Sequence, residues 1–394
     1  MKVNFAVCGR FHYHKYVKYL GEFGLPQRFY YSHRFGANHD IDRYYGRNMW
    51  LKEYLLAAHS KVLGGHLLDL SLPVYHKIWE SAVLRDWTRA DLSHVLLHGA
   101  APRLIKRCQA EGTCVVGEAV CGHPDVVNRI LAPEYERLNM QYRRFDKIWE
   151  YMRQEYTLCT HILVPSNWVA KSLVEFGIHP EKLIKLPYPS GTDKKQKGNR
   201  AAKGKGRTIR VLCVAGLSVI KGQHYLLEAV AHLNRRNARV KFEVTLVGAS
   251  GKDYLVRLSR IGMPFEHIEH IPNADMIDFM SGFDVFALPS LADGFAVAVS
   301  EALQAGIPAV TTQNNGAADA IVEGENGYVV PAQDHLALAN AIAAAVDVTP
   351  DPGFVAPDQV LDWQTYAARL AQIYGHAVGQ ADGLGSEVVT HSEI

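Results

Sequence analysis

Short apolar runs alternate with helix-length amphipathic stretches along this chain, and the alternation happens twice. VNFAVCG (3–9), SHVLLHG (93–99), TCVVGE (113–118) and HILVPS (161–166) form the first series. Runs that are apolar at nearly every position suit strands buried on both faces, the habit of parallel sheets. Between them lie stretches of helical periodicity, residues 131–157 among them. The alternation predicts a doubly wound parallel sheet. Residues 190–208 (SGTDKKQKGNRAAKGKGRT) interrupt it; they are Gly-rich, basic and almost free of apolar side chains, as in an exposed linker. A second series follows, with strands expected at 209–216, 242–248, 268–272, 285–290 and 308–312. The fold expected is α/β, with two Rossmann-like doubly wound parallel-sheet domains, 1–190 and 209–361, facing a cleft and joined by a basic linker, 191–208. A length of 394 residues suits two such cores. DWQTYAARLAQIYGHAV (362–378) reads as a further helix. Residues 380–394 have little to bury and read as a mobile tail.

Composition narrows the function classes. No stretch approaches the roughly 18–20 apolar residues of a membrane span, and the first apolar run is too short for a secretory segment. The six cysteines (8, 108, 114, 121, 159 and 213) have no CxxC spacing, so they are expected to be reduced and to hold no metal. The reading is a cytoplasmic protein. Its charge is uneven. Residues 1–190 carry 25 Lys/Arg against 18 Asp/Glu, and residues 211–394 carry nine against 21. Either the first half meets an anionic surface, such as the inner face of the cytoplasmic membrane, or its solvated faces simply differ. A nucleic-acid partner is not expected. A helix over 13–23, rich in aromatics and bases, either rests on such a surface, lines a binding site or is a partly buried amphipathic helix.

Chemistry is concentrated at PSLADGFAVAVSEA (289–302). A strand ends at Pro289-Ser290, a loop carries Asp293-Gly294-Phe295, and a helix opens near Val297. In parallel sheets ligands bind beyond the carboxyl ends of the strands. The free N–H groups of residues 294–297 at a helix start favour a phosphate there, and Gly294 lets backbone approach closely. Asp293 and Glu301 supply carboxylates that match vicinal hydroxyls. In VAGLSVIKGQHYLLEAV (214–230), Gly216 ends a strand and Lys221 stands at a helix start, where its ammonium can meet a diphosphate.

These segments resemble the retaining glycosyltransferases of family 4, the glycosyl transferases group 1, which have the GT-B fold. The resemblance rests on DGFAVAVSEALQAGIPAVTTQNNGAADAIVEGENGYVV (293–330), SVIKGQHYLLEAV (218–230), VPSNWVAKSLVEFGIHPEKLIKLPY (164–188) and DWQTYAARLAQIY (362–374), and in outline on GHPDVVNRILAPEYERL (122–138). It implies a nucleotide-diphosphate-sugar donor, a glycan, lipid-linked or small-molecule acceptor, no cofactor and no metal. Lys221 would contact the diphosphate, Asp293 the sugar, Glu301 the ribose, and the N–H groups of Phe295, Ala296 and Val297 the sugar and phosphates. The backbone near Ile271 and Pro272 would face the base. Helix 362–378 would cross back to the first domain. The chain departs from the pattern at Asp293, where Glu is usual, at Ala296 and Asn315, where Gly is usual, and at Asp319, where Glu is usual. Gly216 stands where an arginine is usual. Either the first domain supplies a replacement, with Arg10 a candidate, or activity is weak. On the acceptor side, Gly9, Arg10, His98 and His123 follow buried strands; His123 is the better catalytic candidate, and either histidine has a structural alternative. An epimerase on the same fold and a non-catalytic nucleotide-sugar-binding relative are the competing functions.

Overall fold

The expected strands form, and every strand pairing among the described residues is parallel. The structure, a computed structural model, describes residues 1–9, 11–34, 44–64, 66–189, 208–236, 239–350 and 362–381. Arg10, the linker 191–207 and the tail beyond 381 lie outside the described residues.

The first sheet holds β1 (Val3–Val7), β2 (Pro26–Tyr31), β3 (Gly46–Asn48), β4 (Leu92–Leu96), β5 (Cys114–Glu118), β6 (His161–Val164) and β7 (Leu183–Lys185), in the order β3-β2-β1-β4-β5-β6-β7. The second holds β8 (Ile209–Val214), β9 (Phe242–Val247), β10 (Phe265–Ile268), β11 (Val285–Leu288), β12 (Ala309–Thr312) and β13 (Gly327–Val330), in the order β10-β9-β8-β11-β12-β13. The strand expected at 268–272 is instead 265–268. Phe265 pairs with Val244 and Ile268 with Val247, where β9 ends, so there is no partner strand for Pro272.

Helices cover both faces: α1 (Tyr13–Glu22), α2 (Leu51–Leu63), α3 (Leu68–Asp86), α4 (Pro102–Ala110), α5 (Pro124–Arg137), α6 (Asp146–Leu158) and α7 (Asn167–Glu175) in the first half, then α8 (Gln223–Arg236), α9 (Lys252–Ser259), α10 (Met276–Ser281), α11 (Val297–Gln304), α12 (His335–Ala345) and α13 (Trp363–Ala381). The stretch 131–157 is two helices, α5 and α6, broken at 138–145. Helix α13 returns to the first domain, where Trp363, Tyr366, Leu370 and Tyr374 are buried with Tyr13, Tyr16, Val17 and Leu20 of α1. Helix α1 is therefore the partly buried amphipathic helix of the three alternatives, and its apolar face is taken by α13. A buried polar network stiffens this contact. Glu118, at the end of β5, accepts from His94 Nε2 (3.0 Å) and from Tyr188, and His94 Nδ1 meets the Tyr374 hydroxyl. No helix among the described residues is long and apolar enough to cross a membrane.

One segment of the first half packs on the second domain. Leu131 belongs to the second domain's core, and Val127, Ile130, Tyr135, Leu138, Met140 and Tyr142 pack against it. Helix α5 thus reaches across from the first domain, while α6 returns to it.

Candidate active site

Strand order determines where the site forms. In the second sheet the order reverses between β8 and β11, which opens a crevice beyond their carboxyl ends. The segment after β8 carries Gly216 and Lys221, and the segment after β11 carries Ser290, Asp293 and Gly294. Lys221 Nζ donates to Asp293 Oδ2, and Ser290 Oγ donates to the same oxygen at 3.2 Å. Two residues 72 positions apart are thus an ion pair, mostly but not wholly shielded from water. Gly222 makes the pairing possible. It has φ +70°, and a Cβ there would lie 2.0 Å from the Pro289 carbonyl oxygen. The Leu291 N–H donates to the Ile220 carbonyl at 2.7 Å and zips the two segments together.

The loop of Asp293 is clamped from its other side. Its N–H donates to the Asn314 carbonyl and its carbonyl accepts from Gly316 N–H, both at 2.9 Å. Buried Asn315 donates to Thr311 Oγ1 and accepts from Ala296 N–H (3.2 Å) and Ala317 N–H (3.1 Å). An asparagine in this turn therefore ties the site loop to its neighbour. It also takes the Ala296 N–H, which the sequence reading gave to a ligand. The N–H groups of Val297 and Ala298 sit in the first turn of α11, where helix geometry leaves donors without an intrahelical partner.

Gly294 does let backbone approach closely, and in this structure the approach comes from the first domain. A Cβ there would lie 1.9 Å from the Val120 carbonyl oxygen, so the close approach is by the first domain's own backbone. The Gly294 carbonyl accepts from Ser166 Oγ at 2.9 Å, and Asn167 N–H donates to Asp319 Oδ2 at 2.9 Å. Phe295 meets Tyr188 edge-on, with ring centroids 5.9 Å apart. The two domains touch at the site loop itself.

Glu301 is half-buried on α11. Burial raises its pKa, and the ammonium of Lys15 on α1 opposes the rise. Lys15 lies 5.2 Å from the ring centroid of Trp363. Cys121, beside Gly294, has its thiol pushed up to about 11 by burial and by the nearby Asp293 carboxylate. Lys15, Cys121, Ser166 and Ser290 were not singled out as site residues in sequence, because their relevance depends on how distant segments meet. Gly216 is exposed, and a Cβ there would meet only the Ala249 carbonyl oxygen at 3.8 Å. Ile271 is half-buried after β10 and packs against the second core.

The structure gives His123 a structural task instead of the catalytic one expected. Its ring is buried and stacked on Phe176 (4.3 Å, 8°), and its Nδ1 accepts from Asp125 N–H at 3.3 Å as the N-cap of α5. Burial holds its pKa down at about 4. His98 follows β4, and burial together with Lys52 lowers its pKa to about 4, so it is neutral at pH 7. Gly9 follows β1 with φ +129° and open space around it.

Two parallel-sheet α/β domains and a returning C-terminal helix define the GT-B class of fold. Solved structures share it across nearly the whole chain. Sucrose-phosphate synthase from Thermosynechococcus elongatus superposes with a TM-score of 0.64 at 15% identity, covering 96% of this chain and 100% of that one. The lipopolysaccharide outer core galactosyltransferase WaaB, in apo form, gives 0.60 at 15% identity, covering 95% and 100%. Residues 208–347 match the family model described as glycosyl transferases group 1. D-inositol 3-phosphate glycosyltransferase of Corynebacterium diphtheriae is 27% identical over 214 residues, 51% of this chain and 50% of that protein. A GDP-mannose-dependent alpha-(1-6)-phosphatidylinositol monomannoside mannosyltransferase of Mycolicibacterium smegmatis is 29% identical over 192 residues, 43% and 48% of the two chains. The chain spans about half the length of the curated relatives it matches.

Proposed function

We propose that the protein is a retaining glycosyltransferase that moves a sugar from a nucleotide-diphosphate donor to a glycan, lipid-linked or small-molecule acceptor. The observation that carries this reading is the Lys221–Asp293 pair at the switch point of the second sheet. It lies inside the segment that matches the glycosyltransferase family model. Unliganded, Asp293 neutralises Lys221. A bound diphosphate takes over the lysine and frees the carboxylate to accept from sugar hydroxyls. Lys221 then stabilises the charge that grows on the departing nucleoside diphosphate, assisted by the N–H groups that open α11. With front-face departure, the leaving phosphate takes the acceptor's proton and the anomeric configuration is kept. Glu301 holds the ribose. No step in this reading calls for a metal ion, so turnover should persist in EDTA.

The test is calorimetric titration with uridine, guanosine and adenosine diphosphate sugars, followed by assay of transfer and donor hydrolysis. One nucleotide should bind, and Glu301→Ala should weaken it by about tenfold or more. Binding of none of them, or unchanged binding by Glu301→Ala, defeats the reading. The open position at Gly216 favours a second reading, a non-catalytic nucleotide-sugar-binding relative, because a glycine stands where the resemblance places a phosphate-binding arginine. Tight binding without transfer or hydrolysis would select it.

A further inference from the structure

We propose that the α2–α3 hairpin is a docking element that seats the protein on the surface of an anionic phospholipid bilayer. The proposal does not depend on the transferase reading. Fifteen large hydrophobic side chains are exposed among the described residues, and nine of them lie between residues 44 and 74. Helix α2 is inverted. Its buried residues are Lys52 and His59, while Leu51, Tyr54, Val62 and Leu63 face outward. The inward polar groups are satisfied: Lys52 Nζ meets Glu53 Oε1 at 2.6 Å, and His59 meets the His66 carbonyl at 2.6 Å and the Tyr75 hydroxyl at 3.1 Å. In water a surface helix turns its apolar stripe to the core; this one turns it away. Helix α3 continues the pattern. Leu67, Leu70 and Val74 follow one another at helical spacing, and all are more than half exposed. Leu67 also holds φ +56°, a conformation a branched side chain seldom adopts, at the tip of the hairpin.

Charge selects the occupant. The apolar stripe of α3 runs into Lys77, one turn beyond Val74. Lys77, Arg103 and Lys106 line a cavity of about 120 Å3 together with Tyr151 and Gln154. The one carboxylate in that cavity wall, Glu80, accepts from the backbone N–H groups of Arg103 and Leu104 and lies 3.9 Å from the Arg103 guanidinium, so Lys77 and Lys106 are the cations it leaves to a headgroup. Lys61, near the end of α2, and Lys77 are in no ion pair among the described residues. Trp50 and Tyr54 pack edge to face at the start of α2, at 5.4 Å, and amphipathic rings of this kind settle at the headgroup level. Apolar side chains for the acyl boundary, beside a cationic cavity for a headgroup phosphate, match an anionic bilayer. The surplus of 25 Lys/Arg over 18 Asp/Glu in residues 1–190 acts in the same direction.

The test is flotation of the full chain with phosphatidylcholine vesicles, with and without phosphatidylglycerol. The protein should float with the anionic vesicles, and less so at high salt. Leu70→Asn/Val74→Asn should cut binding by about tenfold or more. Lys77→Glu/Lys106→Glu should abolish the preference for phosphatidylglycerol. All four positions are exposed or line an open cavity, so melting curves should match wild type. Brominated lipids should quench tryptophan fluorescence, and Trp50→Phe should remove that quenching. The proposal is overturned if wild type ignores anionic vesicles, or if the Leu70/Val74 variant floats as wild type does. It is equally overturned if lipid-free wild type sediments as a dimer that the same variant dissociates, which would give the face to a second copy. Nucleotide titration of the same samples reads the proposed function separately.

Discussion

Lys15 and Glu301 act on one another from opposite domains, and their coupling has a sign. In the function proposed above a ribose donates to an ionised carboxylate, so Glu301 would have to be charged to hold it. Burial raises its pKa, so donor affinity should begin to fall at a higher pH than for an exposed glutamate, and fall further as pH drops through the raised value. Lys15 opposes that rise. Lys15→Met should therefore move the acid limb of donor affinity upward in pH while leaving the high-pH plateau in place. A partly solvated charge pair is worth roughly 0.5–1 kcal/mol, so donor binding on the limb should weaken about two- to fivefold. Calorimetric affinities measured across the acid range check this; superimposable limbs in the variant and wild type would show that Lys15 does not act on Glu301. Neither residue advertises the partnership in sequence. Glu301 could be named as a candidate because its helix follows the Asp293 loop, and Lys15 could not, because only domain contact brings α1 to α11.

Helix α4 shows the same limit one level up. Its start has no cap of its own, and two buried carboxylates from other helices fill the place. Glu80 of α3 accepts from Arg103 and Leu104 N–H at 2.6 and 3.0 Å, and Glu155 of α6 accepts from Gly99 and Ala101 N–H at 2.7 Å each. Glu80→Ala leaves two interior donors unpaired and should destabilise the fold by about 2 kcal/mol. Urea denaturation measures it; a loss under about 0.5 kcal/mol would mean that water replaces the carboxylate. What sequence resolved at this scale follows burial. Strands such as β4, β5 and β8 are mostly apolar and almost wholly buried because helices cover both faces. Strands β2 (PQRFYY) and β3 (GRN) escaped notice because neither is a continuous apolar run: β3 is the edge of the first sheet, where polar residues are tolerated, and the first half of β2 beside it is only half-buried. Helix α2 was not picked out for a physical reason: its buried residues are polar and much of its outer face is apolar, which inverts the pattern that periodicity detects.

At the scale of the whole molecule, one buried carboxylate on α5 gathers hydrogen bonds from both domains, beside the helix's apolar contacts with the second core. Glu134 is buried and accepts from Arg137 Nε (2.7 Å) on its own helix, and from His224 Nε2 (3.1 Å), Tyr225 (2.8 Å) and Gln333 Nε2 (3.0 Å) of the second domain. The Tyr254 hydroxyl meets His224 Nδ1 at 2.7 Å, so a neutral His224 with its proton on Nε2 satisfies both neighbours. Burial raises the pKa of Glu134, but these donors outweigh it and hold the value at about 2. Because the folded pKa lies below the unfolded one, the stabilisation is present above the ordinary carboxylate range and is lost as pH falls toward about 2. Glu134→Ala strands His224, Tyr225 and Gln333 without their acceptor and should cost about 3 kcal/mol, spent mainly on the grip of α5 on the second domain. Hydrogen exchange should then quicken in residues 124–142 and around 224 while β4 and β5 stay protected. Residues 120–121, just ahead of α5, press on Gly294, so donor affinity should fall as well. If exchange quickened uniformly across both domains, Glu134 would be a general stabiliser of the fold and not the tie between its halves.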